Sequence, residues 1–140
     1  EGDLEQAKSI IKKTLGNHPE FADAHFFAGA LLLREDKSTE ALISFRNARK
    51  LGFENYMLQY NLGEAYVKLE KWEKALLELE RAARQAPNNG NILSLHATSY
   101  DKLGRTEQAR AAAKRATELG AKLPEELKHL LKTDPTPEPR

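Results

Sequence analysis

The sequence predicts an all-α fold in which antiparallel helix pairs stack along one direction. Two observations predict it: an internal repeat of 34 residues, and helical spacing of the apolar residues inside each repeat. Units of this length are too small to bury an apolar face alone and are typical of solenoid proteins. The residues that recur in steps of 34 form four series: Ala7, Ala41, Ala75 and Ala109; Gly29 and Gly63, followed by Ala97; Ala48, Ala82 and Ala116; and Tyr66 and Tyr100.

Residues 56–89 show the helical spacing most clearly. Two apolar stripes follow one another, the first formed by Leu58, Leu62, Tyr66 and Leu69, the second by Trp72, Ala75, Leu76, Leu79 and Ala82. The segment between them, 68–71, is short and polar, so we predict a tight turn between two helices. Pro87 cannot continue the second helix, and Gly52 and Gly120 suit the corresponding ends in the neighbouring units.

Gly63 lies inside the first of these helices, where glycine costs about 1 kcal/mol relative to alanine. A close crossing between the two helices explains the glycine, because a Cβ atom there would hold the backbones apart. We therefore expect small residues at 29, 63 and 97 to face the alanines at 41, 75 and 109. The glycine is then architectural and not catalytic.

These residues resemble the tetratricopeptide repeat (TPR). Residues 56–89 meet its pattern through Leu62, Gly63, Tyr66, Ala75, Leu79, Ala82 and Pro87. Residues 22–55 meet it with Phe53 in place of the proline, and residues 90–123 meet it with Ala113 as a small substitute and no final proline. The resemblance implies a right-handed superhelix of antiparallel helix pairs.

The predicted organisation follows the repeat. Residues 1–21 match only the second half of a unit, so we expect a lone second helix there, followed by complete units at 22–55, 56–89 and 90–123. Residues 124–132 begin with Pro124 and place Leu127, Leu130 and Leu131 on one helical face, which predicts a C-terminal capping helix. The proline-rich residues 133–140 predict a flexible tail.

Composition and motifs exclude several classes of function. The 22 basic and 21 acidic residues are balanced, so nothing favours a nucleic-acid partner, and no apolar run is long enough for membrane insertion. The chain has no cysteine, its four histidines are scattered, and no nucleotide-binding or hydrolase motif is present. We therefore expect no metal, no cofactor and no enzymatic activity.

The resemblance implies that the first helices line a concave groove that binds a partner protein or peptide. The side chains expected to face this groove are Asp23, Phe26, Phe27, Ala30 and Leu33 in the first complete unit, Met57, Tyr60, Asn61, Glu64 and Lys68 in the second, and Asn91, Leu95 and Thr98 in the third. Phe26, Phe27, Met57, Tyr60 and Leu95 would be apolar anchors, and Asn61 would bind the partner's backbone. The alternative that Phe26, Phe27 and Tyr60 pack between helices stays open.

The groove does not resemble the TPR subtype that grips a C-terminal carboxylate. That subtype uses lysine, arginine and asparagine, whereas the matching positions here hold Phe26, Ala30, Asn61, Asn91 and Leu95, of which only Asn61 fits. The sequence thus predicts a protein-interaction module. Two alternatives are a self-assembling scaffold and the non-catalytic arm of a larger enzyme or of a secretion or assembly component.

The lone N-terminal helix carries an apolar stripe formed by Leu4, Ala7, Ile11 and Leu15. Because the first helix of its unit is missing, part of this stripe should be exposed. An exposed apolar stripe promotes association. We expect weak self-association through residues 4–15.

Overall fold

A computed structural model of the chain describes residues 2–132. Within these residues lie seven α-helices and one 3₁₀ helix, in the order α1 (Gly2–Asn17), α2 (Ala22–Arg34), α3 (Ser38–Lys50), α4 (Tyr56–Lys68), α5 (Trp72–Gln85), α6 (Gly90–Lys102), α7 (Thr106–Glu118) and the 3₁₀ helix Glu125–Leu131. The flexible tail predicted at 133–140 lies outside the described residues.

Three helix pairs, α2/α3, α4/α5 and α6/α7, make the most extensive contacts in the described part of the chain. Each second helix also packs on the next first helix, as α3 does on α4, while the first helices α2, α4 and α6 contact one another in sequence. Helix α1 contacts α2 and no other described helix. The predicted all-α superhelix is confirmed.

The turns inside the pairs repeat the same backbone geometry. Asp36, Glu70 and Gly104 are 34 residues apart and adopt φ values of 59°, 56° and 70°, which end the first helix in the left-handed conformation. The next backbone amide then bonds back across the turn, as Lys37 N does to Leu32 O at 2.9 Å. This repeated stop reverses the chain and sets the antiparallel direction of each pair.

The glycines of the first helices lie at the close crossings expected from the sequence. A Cβ atom on Gly29 would lie 2.6 Å from Phe45 Cε1, and one on Gly63 would lie 2.6 Å from Leu79 Cγ. The facing residues are therefore Phe45 and Leu79, one turn beyond the alanines that the sequence suggested. Large side chains on the second helices fill the space that the glycines leave.

The core consists of two clusters along the superhelix. The first extends from Phe26 to Ile92 through α2–α6, and the second joins α6, α7 and the 3₁₀ helix through Ala97, Ala113 and Leu127. The 3₁₀ helix thus covers the end of the last pair, as its contacts with α6 and α7 show.

The C-terminal helix differs from the sequence prediction in one respect. Leu127 and Leu130 are fully buried, but Leu131 is 42% exposed. A 3₁₀ helix has three residues per turn, so residues three apart share a face and the following residue points elsewhere. Leu131 was wrongly predicted to lie on the buried face, because the prediction assumed α-helical geometry.

Candidate partner-binding groove

The first helices α2, α4 and α6 lie side by side and carry the predicted groove residues. Their exposure divides these residues into three groups. Phe27 is 53% and Met57 45% exposed, and Asp23, Lys68 and Asn91 are exposed too. Ala30, Tyr60, Asn61, Glu64 and Leu95 are half-buried, and Phe26, Leu33 and Thr98 are buried. The exposed and half-buried groups are the candidate site.

Phe26 is a core residue, so the prediction that it anchors a partner is wrong. Its side chain is 3% exposed, and its ring stacks on that of Phe53 with centroids 4.5 Å apart and planes 17° apart. Phe45 lies on another side at 6.0 Å. Phe53 occupies the place of the usual repeat proline, and this substitution was the sequence signal that a nearby aromatic ring would be needed to cover it.

Leu33 and Thr98 are also corrected by their burial. Leu33 is 4% exposed and belongs to the first core cluster. Thr98 is 8% exposed, and its hydroxyl donates a hydrogen bond to the Ser94 carbonyl oxygen of its own helix at 3.2 Å. Neither side chain is available to a partner in this conformation.

Helix α4 supplies the polar groups of the groove. Within residues 2–132, neither the Asn61 amide nor the Glu64 carboxylate has a hydrogen bond or an ion pair. Burial raises the pKa of Glu64, and nearby Lys68 opposes that shift. Burial also raises the pKa of Tyr60, assisted by the charge of Glu64. A half-buried carboxylate and a free amide thus lie beside apolar surface, ready to accept and donate hydrogen bonds.

One edge of the groove is cationic. Arg34, Lys68 and Lys102 occupy equivalent positions in the last turns of α2, α4 and α6, and all three are exposed. Lys68 Nζ also forms an ion pair with Asp36 Oδ1 of the preceding unit at 2.5 Å. Asp36 was missed by sequence reasoning, because the left-handed turn that brings it to this edge is not apparent from a non-glycine residue.

The part of the chain that the structure describes was also searched for other kinds of site. Among residues 2–132, no three histidine, aspartate or glutamate side chains are grouped so as to hold a metal ion. None of the described helices combines the length and the apolar character needed to cross a membrane.

Comparison with known proteins decides the family. Three models described as tetratricopeptide repeat match residues 1–53, 56–89 and 91–121. The chain belongs to the tetratricopeptide repeat family. The second match spans the same 34 residues as the unit that shows the sequence pattern most completely.

Solved structures of TPR proteins have the same fold. YrrB, described as a TPR protein with an unusual peptide-binding site, superposes with a TM-score of 0.74 at 29% identity, over 84% of this chain and 61% of that one. A MamA double mutant of RS-1 superposes with a TM-score of 0.76 at 23% identity, over 84% of this chain and 66% of that one. MamA from Desulfovibrio magneticus RS-1 gives a TM-score of 0.70 at 19% identity, over 83% and 75% of the two chains.

A longer human protein is also similar. Protein O-mannosyl-transferase TMTC3 of Homo sapiens is 28% identical over 116 residues, which are 82% of this TPR chain and 13% of TMTC3. The chain thus spans a small part of that relative and about two thirds of YrrB and of the MamA double mutant. TPR folds are typically non-catalytic scaffolds. The family and its structural neighbours support a role as a protein-interaction scaffold.

Proposed function

We propose that the concave groove formed by α2, α4 and α6 binds a peptide or helix of a partner protein. The observation that carries this proposal is the exposure of two large apolar side chains on adjacent first helices, Phe27 at 53% and Met57 at 45%. Half-buried Tyr60 and Leu95 extend the same apolar surface across α4 and α6. Aromatic and methionine side chains are enriched at protein interfaces, where they contribute much of the binding energy.

The polar groups of α4 give this surface its specificity. Asn61 presents both a donor and an acceptor, so its amide can pair with a peptide group of the partner's backbone. Glu64 accepts hydrogen bonds and favours a donor from the partner, and a cationic side chain would restore the stability of its charge that burial removes. We expect the preferred partner segment to carry an apolar residue and, near it, a lysine or arginine.

The cationic edge sets the direction in which the partner lies. Arg34 and Lys102 flank Lys68, and Lys68 is partly neutralised by Asp36. Acidic residues of the partner are therefore favoured at this edge, and basic ones at the middle of α4. Such charge complementarity determines orientation more than affinity.

YrrB supports the proposal, because it is a TPR protein of similar structure that is described as having a peptide-binding site. The apolar composition of the groove argues for protein recognition without catalysis by this domain. TMTC3 supports a second candidate, in which the domain is the non-catalytic arm of a longer enzyme and its groove binds the protein on which that enzyme acts.

The proposal is tested by selecting peptides from a displayed random library on the purified domain and measuring affinities calorimetrically. The double variant Tyr60→Ala, Asn61→Ala should weaken binding of a selected peptide by about 2 to 4 kcal/mol, since an aromatic anchor and a buried hydrogen bond are both lost. Ile43→Ala and Leu77→Ala remove exposed apolar side chains of α3 and α5 and serve as matched controls. Full affinity in a folded double variant would place the site outside the groove.

A further inference from the structure

Helix α1 exposes a face that is buried at every equivalent position of the other second helices. Ala7, Ile11 and Thr14 are half-buried. Their equivalents in α3, α5 and α7 are fully buried against the first helix of the same pair: Ala41, Phe45, Ala48, Ala75, Leu79, Ala82, Ala109, Ala113 and Ala116. The unit to which α1 belongs has no first helix among the described residues, so this face has no helix against it.

The neighbouring face of α2 is open for the same reason. Ala28, Leu31 and Leu32 are half-buried, whereas the equivalent residues of α4, Leu62, Ala65 and Tyr66, are at most 7% exposed. Between α1 and α2 lies a largely apolar cleft of about 350 Å³. In the next two units, the corresponding space on α3/α4 is filled by α2 and that on α5/α6 by α4. The repeat itself therefore shows that the cleft accepts a helix running antiparallel to the second helix.

We propose that the occupant is α1 of a second copy of this chain, related by a two-fold axis that passes near Ser9. A two-fold axis perpendicular to a helix makes that helix antiparallel to its own copy. This is the direction that a first helix takes against a second helix in the complete pairs. Each α1 then fills the cleft of the other copy.

The side chains of α1 match this arrangement in size. With the axis near Ser9, Ala7 of one copy faces Ile11 of the other, and the same contact recurs on the other side of the axis. The complete pairs use the same combination of a small and a large residue, as the contacts of Gly29 with Phe45 and of Gly63 with Leu79 show. Ile10, which is 65% exposed in the single chain, comes close to the interface as well.

The charges of α1 match it too. The acidic residues Asp3 and Glu5 lie in the first turn, whereas Lys12 and Lys13 lie in the second half of the helix. Antiparallel pairing about Ser9 brings Glu5 of one copy opposite Lys13 of the other, and places Asp3 near Lys12. Parallel pairing would instead place like charges together, which disfavours it.

Sedimentation velocity over a range of concentrations tests the pairing. The unmodified chain should show a reversible monomer–dimer equilibrium, and Lys13→Glu should weaken dimerisation about tenfold, because each of the two symmetric contacts becomes repulsive. The double variant Glu5→Lys, Lys13→Glu should recover the dimer, since the opposite charges are exchanged. A chain that stays monomeric at all concentrations, or a dimer unaffected by Lys13→Glu, would overturn the proposal.

A cysteine at the axis gives an independent test, because the chain has no cysteine of its own. Ser9→Cys should form a disulfide-linked dimer rapidly with oxidised glutathione, whereas Lys74→Cys on the exposed surface of α5 should not. Equal rates for the two variants would contradict a two-fold axis near residue 9. Thermal unfolding of each variant checks that the fold is retained. The groove variant Tyr60→Ala, Asn61→Ala should dimerise normally, which separates this interface from peptide binding.

Discussion

A Cβ atom on Gly63 would lie 2.6 Å from both Cγ and Cδ2 of Leu79. Leu79 is fully buried, and its Cγ is close to the backbone, so the side chain cannot simply swing away. The crossing of α4 and α5 therefore depends on the absence of a side chain at position 63. The same relationship joins Gly29 and Phe45 in the preceding pair.

Substitution of Gly63 should destabilise the domain according to the size of the new side chain. Gly63→Ala should cost about 1 to 2 kcal/mol, since the strain of overpacking exceeds the gain in helix propensity, and Gly63→Leu should cost about 3 kcal/mol or more. Urea denaturation measures both. Gly16→Ala is the control, because a Cβ there meets nothing within 4 Å, and it should leave stability unchanged or slightly raised.

Adding Leu79→Ala to Gly63→Ala tests the contact directly. The two substitutions should be less destabilising together than the sum of their separate effects, because the smaller residue at 79 makes room for the new methyl group. Strict additivity would mean that Gly63 does not lie at the close crossing.

His96 should make stability depend on pH. Its side chain is 7% exposed, its Nε2 atom is buried without a hydrogen-bond partner, and burial lowers its pKa below 6.5. As the pH falls through 6.5, the unfolded chain binds a proton more readily than the folded one, so the free energy of unfolding decreases. Replacement by leucine, which occupies the equivalent position 62, should stabilise the domain at neutral pH by about 1 to 2 kcal/mol.

The measurement is urea denaturation of both proteins between about pH 7 and pH 5. The advantage of His96→Leu should grow as the pH falls. His18→Gln is the control, since His18 is exposed and its substitution should leave the pH profile unchanged. An advantage independent of pH would show that His96 does not titrate differently in the folded and unfolded states.

The ion pair of Arg49 with Glu78 should stabilise the junction between two repeats. Arg49 on α3 donates hydrogen bonds to both carboxylate oxygens of Glu78 on α5, at 3.1 and 2.6 Å, and the Glu78 side chain is 7% exposed. This carboxylate raises the pKa of Arg49. Glu78→Gln should cost about 1 to 2 kcal/mol, because one charge-assisted hydrogen bond is lost while Arg49 keeps access to water.

The buried position of Glu78 also determines how this cost responds to salt. Because the pair is sheltered from solvent, the loss measured by denaturation should change little with ionic strength. Glu125→Gln, which breaks an exposed ion pair with Lys128, is the control and should have a negligible effect. A loss that disappears at high salt would show that Glu78 acts as an ordinary surface charge.

The repeat, the helix pairs and the close crossing at Gly63 were predictable, because period, helix propensity and glycine placement are local properties of the sequence. The burial of Phe26 was not, because it depends on Phe53, which is distant in sequence and reaches the ring only after the pair has folded. The exposure of Leu131 depended on a change of helix type. The sequence also favoured a nearly neutral Gly63→Ala, and only the position of Leu79 shows why this substitution should be destabilising.

Phe26 and Phe27 are consecutive in α2 but should have opposite effects when truncated. Phe26→Ala removes a ring that is buried against Phe45 and Phe53, so it should cost about 3 to 5 kcal/mol of stability. Phe27 touches Phe26 edge-on with centroids 5.4 Å apart and is otherwise exposed, so Phe27→Ala should cost about 0.5 to 1 kcal/mol.

Binding should show the reverse order. Phe27→Ala should weaken a groove-selected peptide by about 1 to 3 kcal/mol while the domain stays folded, because an exposed anchor is lost. Phe26→Ala, studied well below its melting temperature, should lose affinity only to the extent that it unfolds. Calorimetric titration and urea denaturation of the same two samples separate these effects. If Phe27→Ala binds with unchanged affinity, the α2 side of the groove does not contact the partner, and the binding surface would be confined to α4 and α6.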